Sequence, residues 1–484
     1  MAIIDIEALV ETLAALPAET EWVEFKHNRF DPQQVGEYIS ALANGAILAD
    51  QRAAYLVFGV EDGTHDVVGT TVDPGAHKVG GEAFVNWLAR GLDPRLNVEL
   101  GEGLCRGRRV VVFVIDPAYA RPVRFLGVEY VRNGAHKRRL ADFPEKERAL
   151  WLATTRFKFE QADAARHMTP ATLLASLDLD SFFNLLQEPK PASDVATLDR
   201  LVREGLIRSD LQRGYDLSNL AALALARDLN QYPGLQRKMV RIVRYRGGDK
   251  LETLEERVPT EGYAAGFQSI LRTVLAAMPS HEAIIDGVRR NVPMVPEIAV
   301  REVIANALIH QDLTTGGAGP LIEIYADRVE VTNPGEPLVE PDRFLDAPPR
   351  SRNEALAALM RRLRICEERG SGVDKIVASI EHRALPAPTF RAAEGMTVVT
   401  LFAERPFARM SAEDRVRACY QHACLKFAAA DPMSNASLRQ RLGLRDDQYP
   451  QASLVIRAAL DANRIKPADA DQGRRNARYL PFWA

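Results

Sequence analysis

The first residues whose types and spacing can do chemistry lie near the amino terminus. Glu19, Glu24 and Lys26 stand close together, and Glu24 and Lys26 are two apart in EWVEFK. That segment alternates polar and apolar residues as a half-buried strand does, so Glu24 and Lys26 share one face. Glu61 and Asp62 sit in a turn signal, EDG, after the apolar run AYLVFGV. Carboxylates gathered at a sheet edge can hold a divalent cation through oxygen. Such an ion can activate water against a phosphodiester and stabilise the leaving oxygen, while a lysine steadies the scissile phosphate. A solvated strand face beside an acidic turn would carry the same residues, and spacing alone leaves both readings open.

A second group is Glu302, Asn306 and His310, spaced i, i+4 and i+8 so that they stack on one helix face. Ile298, Ala305 and Ile309 are free to bury elsewhere. A stacked Glu–Asn pair can divide two jobs: the Glu polarises a water, and the Asn carbonyl binds a Mg²⁺ held by nucleotide phosphates. Downstream, Asn333-Pro334-Gly335 and Gly370-Ser371-Gly372 permit close backbone approach to a ligand. A third group, Cys419, His422 and Cys424, mixes metal-ligand types, but within a helical pattern the three do not converge, so packing is expected there instead of zinc. The carboxyl-terminal segment is locally basic: Arg439, Arg441 and Arg445 fall near two helices, and Arg474, Arg475 and Arg478 near a hairpin. That pattern suits contact with a DNA backbone, and equally a dimerisation module.

The elements that must position these residues divide the chain into four blocks. Residues 1–150 read as a helix before Pro17, the EWVEFK strand, a helix over 33–49, and a hairpin in which DVVGTTV returns against AYLVFGV. Arg109–Ile115 and Glu129–Arg132 complete one small mixed sheet. Residues 151–295 are a linking region with a small helical unit, a strand at Lys238–Tyr245 and a helix over 264–277. Residues 296–408 read as a helix opened by Pro296 and running through His310, then an antiparallel hairpin, a loop at Pro348–Asn353, two helices flanking Gly370–Gly372, and a last strand at Met396–Phe402. This is a two-layer α+β sandwich. Residues 409–484 read as three helices followed by a two-strand wing.

Composition sets the outer limits. The chain has 484 residues, 46% hydrophobic and 26% charged, as in an ordinary globular protein. Lys plus Arg number 62 against 65 Asp plus Glu, a net charge of −3, which excludes a histone-like polycation but not a local basic patch. No apolar run is long enough to span a membrane. The acidic amphipathic start is not that of a signal peptide. Four cysteines fit a reducing cytoplasm and not a disulfide scaffold.

EWVEFKH, the NG loop at Asn44-Gly45, and YLVFGVEDG followed by VVG together resemble the Schlafen-type AlbA domain. REVIANALIHQD, VEVTNPGEPL, RSRNEALAALMRR and EERGSGVDKIV resemble the ATP-binding domain that accompanies it in many bacterial proteins. Those proteins are often labelled helicase-related ATP-binding proteins or transcriptional regulators. Their second domain is a divergent relative of the Bergerat ATPase fold of gyrase, histidine kinases and MutL, and a winged-helix ending is typical of the group. The resemblance spans nearly the whole chain and implies an α+β multidomain protein. It implies an acidic triad that cuts RNA or DNA with Mg²⁺ or Mn²⁺. Glu19 and Glu24 match its first two acids, and Glu61 and Asp62 compete for the third. It further implies ATP bound by Glu302 and Asn306 as the N-box pair, with Gly370 and Gly372 in the second glycine box. Asn333-Pro334-Gly335 stands where the first glycine box normally carries an adenine-binding Asp, and Asn can accept that hydrogen bond only without the charge. There is no Walker A sequence, hence no helicase motor. The resulting expectation is a cytoplasmic nucleic-acid-binding homo-oligomer, a nuclease gated by ATP, which would suit stress or anti-phage defence. The competing expectation is a non-enzymatic, ATP-responsive DNA-binding transcriptional regulator.

Overall fold

The computed structural model describes residues 5–17, 19–119, 121–134, 136–156, 158–285, 287–317, 319–348, 350–366, 371–469, 473 and 477–484. Gly370, Arg474 and Arg475 lie outside these described residues. The architecture is α+β with several sheets. The chain divides into two units, Met1–Leu173 with Leu198–Ser218, and Leu174–Thr197 with Asn219–Ala484.

In the first unit, α1 (Ile6–Ala14) starts where the Asp5 carboxylate accepts from the Ala8 N–H at 3.0 Å, and α2 (Pro32–Leu48) starts at Asp31 with Pro32 in its first turn. Between them lies a sheet of β1 (Val23–Lys26), β2 (Ala54–Phe58), β3 (Val98–Cys105) and β4 (Arg108–Ile115), in the order β1-β2-β4-β3. β1 runs parallel to β2, and the other pairs are antiparallel. Every residue of β2 is buried, because alternate side chains serve two cores. Tyr55 and Val57 pack with Leu9, Leu13 and Phe25 beneath α1, whereas Leu56 and Phe58 pack with Val35, Ile39 and Leu42 of α2.

Three local expectations are corrected here. DVVGTTV forms no return strand; only an isolated bridge joins Val60 to Val67, and β2 takes β1 and β4 as partners instead. Glu129–Arg132 does not complete the same sheet: β5 (Val128–Asn133) pairs with β6 (His136–Arg139) in a separate one. Asn44-Gly45 is not a loop but the interior of α2. There the buried Asn44 amide donates to the carbonyls of Val123 (2.9 Å) and Tyr130 (2.8 Å) and accepts from the Val123 N–H (2.8 Å), tying α2 to the second sheet. α3 (Pro144–Arg156) follows, and the unit ends in a sheet of β7 (Asp163–Met168), β8 (Ile207–Ser209) and β9 (Tyr215–Ser218), with β9 central.

The second unit is built on a six-stranded sheet. Its strands are β10 (Arg241–Tyr245), β11 (Thr253–Arg257), β12 (Leu321–Ile324), β13 (Arg328–Pro334), β14 (Thr389–Ala393) and β15 (Met396–Phe402), in the order β11-β10-β12-β13-β15-β14. The sheet thus draws two strands from ahead of residue 296. The helices of this layer are α4 (Tyr263–Ala277), α5 (Glu297–His310), α6 (Glu354–Arg362) and α7 (Gly372–His382). Ile298 does not bury with the other apolar residues of α5; it is 43% exposed. The chain closes with α8 (Ala412–Ala428), α9 (Asn435–Arg441), α10 (Tyr449–Asp461) and the hairpin of β16 (Ile465–Pro467) and β17 (Tyr479–Pro481). Ser411 with Asp414, and Ser434 with Ser437, form capping boxes that set the starts of α8 and α9. No described helix is long and apolar enough to cross a membrane.

Candidate functional site

In the second unit, α5 presents Glu302, Asn306 and His310 along one side, and all three line a cavity of about 580 Å³. The opposite wall follows from strand alternation. Val331 and Asn333, two apart on β13, point to one face, where Thr397 and Val399 of β15 stand directly opposite them. Gly372, the first residue of α7, completes the wall: a Cβ there would lie 3.0 Å from Glu302 Oε2 and 3.5 Å from Asn306 Nδ2. Glu302 is buried, and one of its oxygens accepts from Arg301, whose guanidinium also donates to the carbonyls of Arg364 and Ile365 at 3.0 Å each.

The loop after residue 348 contributes residues that the sequence reading left unassigned. Asn353 donates to the carbonyls of Ile309 (3.1 Å) and Gln311 (2.7 Å), and Ser351 to Ile309 (3.1 Å), so this loop satisfies the carboxyl-terminal carbonyls of α5. Pinned in this way, it places Arg350 and Arg352 on the cavity wall, joined by Arg361 of α6. The two arginines in PPRSRN were the available signal. His310 hydrogen-bonds the Arg350 backbone, and burial pushes its imidazole down to about 4, so it is neutral at pH 7. A mostly apolar cavity with an Asn at one wall and arginines on another can take a planar heterocycle with an anionic tail. Gly335 does not join this wall. Its φ of 101° accompanies a close approach to Asp312, whose Cβ would be 2.9 Å from an added side chain. Asn333 is buried, and its amide donates to the Pro334 carbonyl at 3.3 Å.

In the first unit, Glu19 and Glu24 do converge, but on a residue the sequence reading missed. Arg132, fully buried on β5, donates to Glu24 Oε2, to Glu19 Oε2 at 2.8 Å and to the Val23 carbonyl at 2.9 Å. The Phe25 N–H donates to Glu19 Oε1 at 2.9 Å, and Lys26 to Glu24 Oε1. Each of the four carboxylate oxygens therefore already accepts from a cation or a backbone N–H. A guanidinium occupies the place an ion would need, and the pair as held does not fit Mg²⁺ or Mn²⁺. No sequence signal marks Arg132, which is 108 residues from Glu24. Neither candidate third acid joins the pair in a metal-ligating cluster among the described residues. Glu61 is exposed and stands 3.7 Å from His27 Nδ1, while Asp62 lines a separate cleft of about 270 Å³ with Lys26, Arg29 and Tyr38.

The remaining candidates fall out differently. Arg441 is buried, donates to the Leu385 carbonyl at 2.9 Å and lies 3.3 Å from Glu381, so it braces the fold and is not offered to DNA. Arg439 is paired with Asp446, Arg445 with Asp447, and Arg478 with the Pro432 carbonyl and, at 3.7 Å, Asp431. His422 bonds Glu381 (2.7 Å) and Ser437 (3.0 Å), while Cys419 and Cys424 are buried and free.

Fold and cavity together define a multidomain α+β protein in which a helix-and-sheet sandwich of divergent Bergerat type carries a nucleotide-sized site. Residues 19–141 match the family model described as "Schlafen, AlbA_2", and residues 317–401 that described as "Putative ATP-dependent DNA helicase recG C-terminal". The chain carries both domains, and their pairing points to nucleotide and nucleic-acid binding. Among solved structures, the DIP2311 protein from Corynebacterium diphtheriae is similar at 18% identity and a TM-score of 0.42, over 98% of this chain and 96% of that one. The N-terminal domain of a RecG-related protein from Nitrosomonas europaea is similar at 22% identity and a TM-score of 0.16, over 23% of this chain and 72% of that one. No curated protein matches the chain.

Proposed function

We propose that this protein binds nucleic acid in a manner responsive to ATP, with the nucleotide held in the cavity of the second unit. The observation that carries the reading is the meeting of Glu302, Asn306, Gly372, Asn333 and His310 in one cavity of about 580 Å³ with three arginines on its wall. Asn333 and Thr397 would face the base, and Arg350, Arg352 and Arg361 the phosphates. Nucleic acid would meet the first unit at the cleft of Lys26, Arg29 and Tyr38, where Lys26 lies 5.1 Å from the Tyr38 ring centroid, a pairing that suits phosphate and base together. The carboxyl-terminal helices and hairpin have the element order of a winged helix and would add a second contact, or a dimer interface, through Arg439 and Arg478.

The test measures binding of labelled ATP, then of labelled single-stranded RNA and duplex DNA with and without ATP. Gly372→Ala is expected to weaken ATP binding about tenfold or more, the value of roughly 1.4 kcal/mol, because the new methyl meets Glu302 and Asn306. A wild-type chain that binds no ATP would sink the proposal.

Metal-dependent cutting of RNA or DNA is the second reading. Its supporting observation is the convergence of Glu19 and Glu24 beside Lys26. It requires Arg132 to leave the pair. Incubating labelled RNA and DNA with Mn²⁺ or Mg²⁺ decides it: cutting that Glu24→Gln abolishes while binding persists supports the nuclease. Intact substrate with wild-type binding leaves the regulator.

A further inference from the structure

One cluster of ligand-type side chains plays no part in either site. His167 on β7, Asp210 in the turn after β8 and Asp216 on β9 bring one ligand atom each within 4.8 Å of one another, the only such group among the described residues. The sheet explains the meeting. β7 pairs antiparallel with β9, and its register shifts between Ala165 and Met168, where His167 takes a left-handed backbone (φ 54°). That bulge turns the ring toward Asp210, with Nδ1 3.0 Å from Asp210 Oδ2, while the His167 N–H donates to Asp216 at 3.0 Å. Asp210 Oδ1 meanwhile accepts the N–H groups of Gln212 (2.8 Å) and Gly214 (2.7 Å), so its other oxygen is held facing the ring.

Two further observations distinguish this group from a simple His–Asp pair. The first is Gln212, 8% exposed, whose amide nitrogen lies 3.1 Å from His167 Nδ1 while its carbonyl oxygen is buried with no hydrogen-bond partner. Such an oxygen costs free energy unless something electropositive reaches it. The second is charge. No Lys or Arg among the described residues forms an ion pair with Asp210 or Asp216, and nearby Arg166 is taken by Asp116 and Asp163. Two half-buried acids, one imidazole and one orphaned carbonyl oxygen form a mixed nitrogen–oxygen set to which no Lys or Arg among the described residues is paired.

We propose that His167, Asp210, Asp216 and the Gln212 carbonyl bind a divalent transition ion, of the Zn²⁺ or Mn²⁺ class that accepts one imidazole among oxygen ligands. The ion would tie β7, the β8–β9 turn and β9 together.

The test strips the full chain with a chelator, dialyses it against Zn²⁺ or Mn²⁺, and measures bound metal. A parallel titration with Co²⁺ reads visible d–d absorption. One equivalent of ion is expected, with a Co²⁺ spectrum that His167→Ala removes, and Asp216→Asn is expected to lower affinity about tenfold or more. Asp216→Asn guards against a folding artefact, because in the metal-free chain it deletes a charge without a Lys or Arg partner and its melting temperature is expected to equal or exceed wild type. Gln212→Glu is expected to bind more tightly. A stripped chain that takes up no ion, or an Asp216→Asn chain that binds with unchanged affinity, overturns the proposal.

Discussion

Arg132 shows how one buried residue changes the meaning of two others. Glu19 and Glu24 have the spacing of metal ligands, yet a fully buried guanidinium bridges them. Removing one partner of such a group strands the opposite charge out of water, whereas replacing the whole group need not. Arg132→Met is therefore expected to lose about 3–5 kcal/mol of stability in urea unfolding. Adding Glu19→Gln and Glu24→Gln to it is expected to recover much of that loss; no loss in the single variant would refute the clamp. His310 offers a second residue-scale test. Its folded value of about 4 lies below its unfolded value of 6.5, so its contribution is complete above pH 6.5 and is lost as pH falls toward 4. The shift corresponds to an upper limit of about 3 kcal/mol. Unfolding measured at pH 7 and pH 4.5 is expected to show a smaller acid-induced loss in His310→Gln than in wild type.

At the scale of elements, α2 and the β13–β15 pair illustrate two kinds of positioning. Gly45 lies mid-helix, a costly place for glycine on propensity alone. Its reason is the carbonyl of Glu21, which would stand 2.0 Å from an added Cβ. α2 can approach the segment carrying Glu19 and Glu24 only because no side chain intervenes. Gly45→Ala is expected to cost about 1–3 kcal/mol, read from the urea midpoint, although Ala is the better helix former. A neutral or stabilising result would mean that the helix is not packed this closely. β13 and β15, in contrast, work by the period of two that any strand has, which puts Val331 and Asn333 on one face opposite Val399 and Thr397.

For the whole molecule, the expected behaviour is binding governed by phosphate contacts and altered by nucleotide. Affinity for RNA or DNA is expected to fall steeply with added salt, since counterion release drives contacts made by residues such as Lys26 and Arg29. ATP is expected to change that affinity, and Gly372→Ala to abolish the change while leaving nucleotide-free binding intact, as read by fluorescence anisotropy across a salt series. Identical titrations with and without ATP would separate the two activities and leave a protein with two unconnected ligands.

The local order of the chain determined much of this. Helical spacing stacked Glu302, Asn306 and His310 on one side of α5, strand alternation put Glu24 beside Lys26, and Pro296 marked where α5 begins, because each depends only on neighbours within a turn or a pleat. The motif strings likewise identified both domains from short-range pattern. Tertiary structure alone decided what those residues face. Arg132 reaches Glu24 across 108 residues, and Arg441, basic and near the carboxyl terminus, turned inward to Glu381. His167 met Asp210 and Asp216 only through a bulged antiparallel register. Long-range pairing of this kind is set by which faces must bury together, and no local spacing records it.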